Sequence, residues 1–116
     1  MADIDYAARV QRGIALLDEK WPGWATEIDL EKLDIRHDER CVTAQYAASR
    51  GGSSSWQTGE RLLGLEEGGE YELHGFNVAW EAVAPAIDRD YATLNGLWKA
   101  EIIRRREATQ SEASES

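Results

Sequence analysis

The segment YAARVQRGIALLDEKW, residues 6–21, is the first indication that this chain of 116 residues is helical. Its large apolar residues follow one another at steps of four, four, three and four, which places them on one face of an α-helix. They are Tyr6, Val10, Ile14, Leu17 and Trp21. Asp3 or Asp5 can accept a backbone N–H at the start, and Pro22 disfavours helical angles in the residue before it. The pattern predicts an amphipathic helix over residues 5–20.

Gly13 lies inside this helical pattern. A glycine in a helix interior costs about 1 kcal/mol relative to alanine. We therefore expect Gly13 to allow another element to approach the helix closely.

A second helical pattern lies near the C-terminus, beginning at Asp88 or Asp90 as N-cap and ending at about residue 107. Its apolar stripe is formed by Tyr91, Leu94, Trp98 and Ile102, and Leu97 widens it. Residues 104–106 are three arginines, which would stabilise the negative end of the helix dipole. Residues 109–116 contain no large apolar residue and are predicted to be disordered.

The segment that follows the first helix is less regular. Ile28–Ile35 mixes apolar periods of two and three, so it predicts a short helix or 3₁₀ turn over Asp29–Leu33, with a strand as the alternative. Asp38 is a suitable N-cap for a second helix over residues 39–49.

Shorter patterns fill the middle of the chain. Ser55 can cap a third helix over Trp56–Leu63, followed by Gly64 in a left-handed conformation. Glu70–His74 fits one helical turn better than a strand, because no pairing partner for a strand is evident. Phe76–Ile87 contains Pro85 and is interpreted as a loop.

Together these patterns predict a mainly α protein, a compact single-domain bundle of about four to five helices with irregular connectors. The domain would span residues 1–107, and residues 108–116 would form a disordered acidic tail. Five tryptophans in so short a chain favour a tryptophan-rich core.

Composition and charge limit the function classes. The net charge of −9 disfavours direct binding to nucleic acid. Six acids accompany one arginine between Glu60 and Glu81. No apolar run reaches the roughly 20 residues of a membrane span, and the start lacks the positive charge of a secretory signal, so we expect a cytoplasmic protein without a membrane partner. The single cysteine, Cys41, excludes an internal disulfide.

Catalytic and metal-binding signatures are weak in this sequence. It contains no phosphate-binding loop, no dinucleotide-binding glycine fingerprint and no nucleophile elbow. Cys41 could pair with His74 as a nucleophile, or with His37 in a metal site, but a buried cysteine and a surface histidine are the simpler interpretation. We expect no enzyme activity, no cofactor and no metal.

The residues that favour a binding function are clustered in one part of the chain. Acidic and aromatic residues there would form a charged rim around aromatic anchors, typical of a protein-binding patch. The predicted patch consists of Glu66, Glu67, Glu70, Tyr71, Glu72, Phe76 and Trp80. The alternatives are an acidic nucleic-acid mimic, which would inhibit a nuclease or DNA-binding protein, and a small enzyme that uses Cys41 or clustered carboxylates.

Several short strings occur together in an order that resembles small proteins of actinobacteria and their bacteriophages. They are Leu16-Leu17-Asp18-Glu19, Pro22-Gly23-Trp24, Ile28-Asp29-Leu30, Leu33-Asp34, Cys41-Val42, Gln45-Tyr46, Leu63-Gly64-Leu65, His74-Gly75-Phe76, and Tyr91 with Leu94 and Trp98. The resemblance covers about residues 5–105, without the Gly51–Ser55 insert and the acidic tail. That group has no settled activity, so it assigns no functional residue. It implies an accessory protein of a phage or prophage that acts inside a bacterial cell. The partner we expect there is a host or self protein.

Overall fold

The computed structural model describes residues 5–65, 70–77 and 86–115. Its helices are α1 (Tyr6–Lys20), α2 (Trp24–Glu27), α3 (Val42–Ser49), α4 (Trp56–Leu62), α5 (Glu70–Leu73) and α6 (Ala86–Glu115). No strand occurs in these three ranges, which confirms the mainly α prediction. None of the helices in the described ranges is long and apolar enough to cross a bilayer.

Helix α1 forms as its sequence predicts. The Asp5 side chain caps it by accepting from the backbone N–H of Ala8 at 3.0 Å. All members of the predicted stripe are buried: Tyr6, Val10, Ile14, Leu17 and Trp21. The helix is therefore held by burial of one apolar face rather than by the propensity of its residues.

Helix α6 is longer than predicted at both ends. It begins at Ala86, so Asp88 and Asp90 lie inside its first turns, and the prediction that one of them is the N-cap was wrong. Asp90 instead accepts a buried hydrogen bond of 2.8 Å from the Tyr6 hydroxyl. The backbone stays helical to Glu115, past the predicted end at 107. Residues 109–116 contain no large apolar residue that could hold the tail against the core. Disorder of this tail in solution therefore stays our prediction.

Helix α3 begins at Val42, three residues later than predicted, with Cys41 rather than Asp38 at the N-cap position. Residues before it form hydrogen-bonded turns, in which the N–H groups of Arg40 and Cys41 both donate to the carbonyl of His37. The backbone groups that are bonded in these turns are not available to extend α3 toward residue 39. The earlier Asp29–Leu33 segment is also a turn, closed by the Leu33 N–H on the Asp29 carbonyl at 3.0 Å, and not a strand.

The shorter helices follow the sequence more closely. Ser55 caps α4 by accepting from the Gln57 N–H at 3.3 Å. Gly64 then has φ +81°, and the Leu65 N–H donates to the Glu60 carbonyl, as in a Schellman motif. Helix α5 confirms the helical alternative for residues 70–73.

The core is organised around Trp98 of α6, which is fully buried. Its ring stacks on Phe76 at 5.5 Å between centroids and forms a T-shaped pair with Trp24 at 5.8 Å between centroids. Its indole N–H donates to the carbonyl of Gly75 at 2.7 Å, which satisfies the one polar atom of the ring. With Trp21 and Trp24 also buried, the tryptophan-rich core is confirmed.

Candidate functional site

Phe76 does not belong to the predicted binding patch. Its side chain is 0% exposed and lies between Trp98 and the imidazole of His74, whose centroid is 6.4 Å from that of Phe76. Gly75, with φ +73°, turns the chain so that Phe76 enters the core. The prediction that Phe76 anchors a partner was therefore wrong, because the sequence does not show which way the chain turns at Gly75.

The other patch residues are only partly described. Glu72 of α5 is half-buried. Glu70 and Tyr71 are residues of the same helix. Glu66, Glu67 and Trp80 lie outside the described residues. Their role as a binding patch stays a prediction.

Two leucines that the sequence analysis did not select flank the acidic segment. Leu62, at the end of α4, is 47% exposed, and Leu73, at the end of α5, is 40% exposed. Among the described large apolar residues only Ile103 of α6, at 46%, is similarly exposed. The adjacent Leu63 is buried, and the sequence offers no sign of which of the two neighbouring leucines faces the core.

Cys41 is buried, at 2% exposure, as the simpler interpretation predicted. Its Sγ lies 3.5 Å from the hydroxyl of Thr43, and it lines a recess of about 30 Å³ together with Trp56 and Tyr91. That volume holds about one water molecule and no substrate. The described part of the chain contains no group of three metal-ligating side chains.

The two histidines have structural contacts of their own. His37 is exposed, and its Nδ1 accepts from the backbone N–H of Glu39 at 3.1 Å. His74 stacks on Phe76 with nearly parallel rings. Each imidazole thus stabilises a local turn or the core, and a surface position is confirmed for His37 only.

Tyr91 beside the recess does not act as a base at neutral pH. Burial raises the pKa of Tyr91, and the nearby Arg36 opposes that shift only in part. The Arg36 guanidinium lies 4.9 Å from the centre of the tyrosine ring and 2.6 Å from the Asp88 carboxylate. The hydrogen bond to Asp88 raises the pKa of Arg36 further above its ordinary value. The phenol therefore keeps its proton, and the arginine keeps its charge.

Two of the three consecutive arginines of α6 link this helix to others. Arg105 forms a bidentate ion pair with Asp18 of α1, at 2.7 and 2.9 Å. Arg106 donates to the carbonyls of Ala25 and Ile28 at the end of α2. The prediction that these arginines stabilise the last turn of their helix was wrong, because α6 continues to residue 115.

Arg104 and Arg105 also bind one carboxylate on their own helix. Both donate to Glu101, one turn earlier. Hydrogen bonding from Arg104, with a smaller contribution from Arg105, lowers the pKa of Glu101 although burial opposes the shift. Glu101 is thus ionised at neutral pH and fixes the two guanidinium groups in place.

Comparisons with known proteins do not assign a function to this chain, so we argue its function from its own residues. No protein-family model, no curated protein and no solved structure matches this chain.

Proposed function

We propose that this protein is a small non-catalytic interaction module that binds another protein through an acidic docking surface. We define this surface as Leu62 and Leu73 with the acidic segment between them, residues 66–72. The observation that carries the proposal is the exposure of Leu62 and Leu73, at 47% and 40%, on either side of that segment. This surface keeps the acidic residues of the predicted patch and replaces Phe76 by two exposed leucines as apolar anchors.

Such a surface would offer apolar area together with negative charge. Covering an exposed leucine removes apolar area from water at a gain of roughly 25 cal/mol per Å². Carboxylates around such an area contribute little net affinity, but they accelerate encounter with a basic partner and select against acidic ones. The stretch from Glu60 to Glu81 has six acids and one arginine, a net charge of −5.

The partner expected from this chemistry is a protein with a basic rim around an apolar patch. A cytoplasmic role as a phage or prophage accessory protein, acting on a host protein, is part of the same proposal and rests on the resemblance of the short sequence strings.

The test is capture of partners from a lysate of the encoding organism by immobilised full-length protein, compared among three forms. We expect Leu62→Ser combined with Leu73→Ser to lose a specific partner that the parent protein retains. Ile103→Ser is the matched control, because Ile103 is equally exposed but lies on α6 outside the acidic segment. Equal capture by all three forms, or equal loss in the Ile103 control, would contradict the proposal.

The alternative of a nucleic-acid mimic is favoured by the charge of the same segment. It predicts that DNA competes for the captured partner and that capture disappears steeply between about 0.1 and 0.5 M salt, where screening shortens the reach of charges. A contact anchored by Leu62 and Leu73 is expected to be much less sensitive to salt. Competition by DNA with no effect of the leucine substitutions would replace the docking proposal with the mimic.

A further inference from the structure

A second feature, separate from the acidic docking surface, is an open groove of about 380 Å³. Gln45 and Ala48 of α3 line the groove, and its other walls are the turn containing Asp29 and Lys32, the turn containing Glu39 and Arg40, and Ser54. The volume lies within the range of roughly 300–1,000 Å³ that small-molecule sites occupy.

Hydrogen bonds of side chains fix the walls of this groove. The Gln45 side-chain carbonyl accepts from the Asp29 N–H at 2.7 Å, and its amide group donates to the carbonyls of Asp29 and Arg40 at 3.3 and 3.1 Å. The Ser54 hydroxyl donates to the Glu39 carbonyl at 2.9 Å. The groove is therefore formed before any ligand arrives, which reduces the ordering cost of binding.

Three of the four charged side chains around the groove are not used by the fold. Lys32, Glu39 and Arg40 are exposed, and none of their side chains makes an ion pair or hydrogen bond with the residues that the structure describes. The fourth, the Asp29 carboxylate, accepts only from the nearby backbone N–H groups of Glu31 and Lys32, at 3.0 and 3.4 Å.

These four side chains carry two positive and two negative charges. A ligand of one sign would be attracted by two of them and repelled by the other two, whereas a ligand with both signs can pair with all four. Gln45 has both amide hydrogens and its carbonyl engaged by the backbone, so recognition falls to the charged groups.

We propose that this groove binds a zwitterionic molecule of dipeptide size, with ammonium groups toward Asp29 and Glu39 and carboxylate groups toward Lys32 and Arg40. The same chemistry occurs in a free dipeptide and in a charged segment within a longer peptide chain.

The test is a titration of the ¹⁵N-labelled full chain, followed by NMR, with the free dipeptide Lys-Glu as probe. We expect saturable shifts of amide signals from residues that line the groove. Lys-Lys and Glu-Glu, which carry an excess of one sign, are expected to bind more weakly. An internally placed Lys-Glu pair, with blocked termini, separates the two sources: binding as tight as the free dipeptide assigns the site to a chain segment, and weaker binding assigns it to a free small molecule.

Matched variants make the test specific. Arg40→Gln and Glu39→Gln each remove one charge without touching the backbone bonds that form the groove, and each is expected to weaken Lys-Glu binding about two- to fivefold. Arg12→Gln and Glu19→Gln are the controls, since both residues are exposed on α1 outside the groove. The proposal is overturned if Lys-Glu causes no saturable shifts in the groove, if Lys-Lys and Glu-Glu bind as well as Lys-Glu, or if the groove variants bind like the controls.

Discussion

Gly13 of α1 lies directly against the main-chain carbonyl of His74. A Cβ atom at Gly13 would stand 2.2 Å from that oxygen and 3.1 Å from two ring atoms of Trp98. The contact joins α1 to the segment after α5 and to the central tryptophan of α6. The close approach expected from the glycine in the helical pattern is thus confirmed.

Substituting Gly13 tests this contact. We expect Gly13→Ala to lower the free energy of unfolding by about 1–3 kcal/mol, because backbone and a buried ring must move to admit the methyl group. Urea unfolding followed by tryptophan fluorescence measures the change. Gly96→Ala is the control: Gly96 is also helical, has nothing within 4 Å of its added Cβ, and should gain about 0.5–1 kcal/mol. Stabilisation by both substitutions would show that α1 is not tightly packed at Gly13.

The Tyr6–Asp90 hydrogen bond predicts that removal of one oxygen atom destabilises the protein. Tyr6→Phe removes the hydroxyl that donates to Asp90 and leaves a buried carboxylate with one partner fewer. We expect a loss of about 1–3 kcal/mol in the free energy of unfolding, measured in urea. Asp90→Asn keeps an acceptor for the same hydroxyl and should lose less. If Tyr6→Phe were as stable as the parent protein, water would have to replace the tyrosine hydroxyl as the partner of Asp90 without a loss of free energy.

Arg105 links α6 to α1, and even its conservative replacement by lysine should destabilise the protein. Its guanidinium pairs with Asp18 through two nitrogens and lies 5.6 Å from the centre of the Trp24 ring. We expect Arg105→Ala to cost about 1–2 kcal/mol, and Arg105→Lys to recover only part of it, because an ammonium cannot form the paired contact. Thermal unfolding measures both.

Arg12→Ala provides the comparison for Arg105, since Arg12 is an exposed residue of α1. It should leave the melting temperature unchanged. A lysine at position 105 that restores full stability would show that charge alone, and not bidentate geometry, matters there.

Glu101 predicts a dependence of stability on pH. Its pKa is lowered in the folded protein by hydrogen bonds from Arg104 and Arg105, so folding favours the ionised form. The stabilisation is complete above the ordinary glutamate value of about 4.3 and is lost as the pH falls through the lowered folded value. Glu101→Gln should therefore reduce stability at pH 7 and approach the parent protein in acid. A difference that stays constant from pH 7 to pH 2 would contradict this linkage.

Cys41 should be chemically inert in the folded protein. Because it is buried, a thiol reagent such as Ellman's reagent can reach it only through opening of the structure, so labelling should be about 100-fold or more slower than in urea. The rate of colour development measures this access. Rapid labelling without denaturant would instead revive the possibility of a reactive Cys41.

Sequence reasoning succeeded where one local pattern dominates. The stripe of α1, the Ser55 cap and the left-handed Gly64 depend on neighbours within one or two helical turns, so periodicity and capping rules suffice. It failed for the start of α6 and for Asp38, because each has local chemistry suited to a cap. Asp90 instead bonds to Tyr6, a residue far away in the chain, and no local pattern indicates that contact.

The candidate site shows the same division. The acidic segment is evident in the sequence, but its apolar anchors are not, since Leu62 and Leu63 are identical neighbours of opposite burial. The groove at Gln45 could not be predicted, because it joins residues 29, 40 and 45 through backbone carbonyls, which carry no sequence signal.

The sequence alone determined that this chain is mainly helical, because the apolar residues of α1 and of residues 91–102 recur at the helical period and can be buried together only on one face of a helix. The tertiary structure alone decided which aromatic residues form the core and which charges remain at the surface. Phe76 became a core residue and Arg105 an interhelical link because chain reversals at Gly75 and long-range packing on Trp98 set their surroundings. Such surroundings depend on residues far apart in the chain, and no local pattern encodes them.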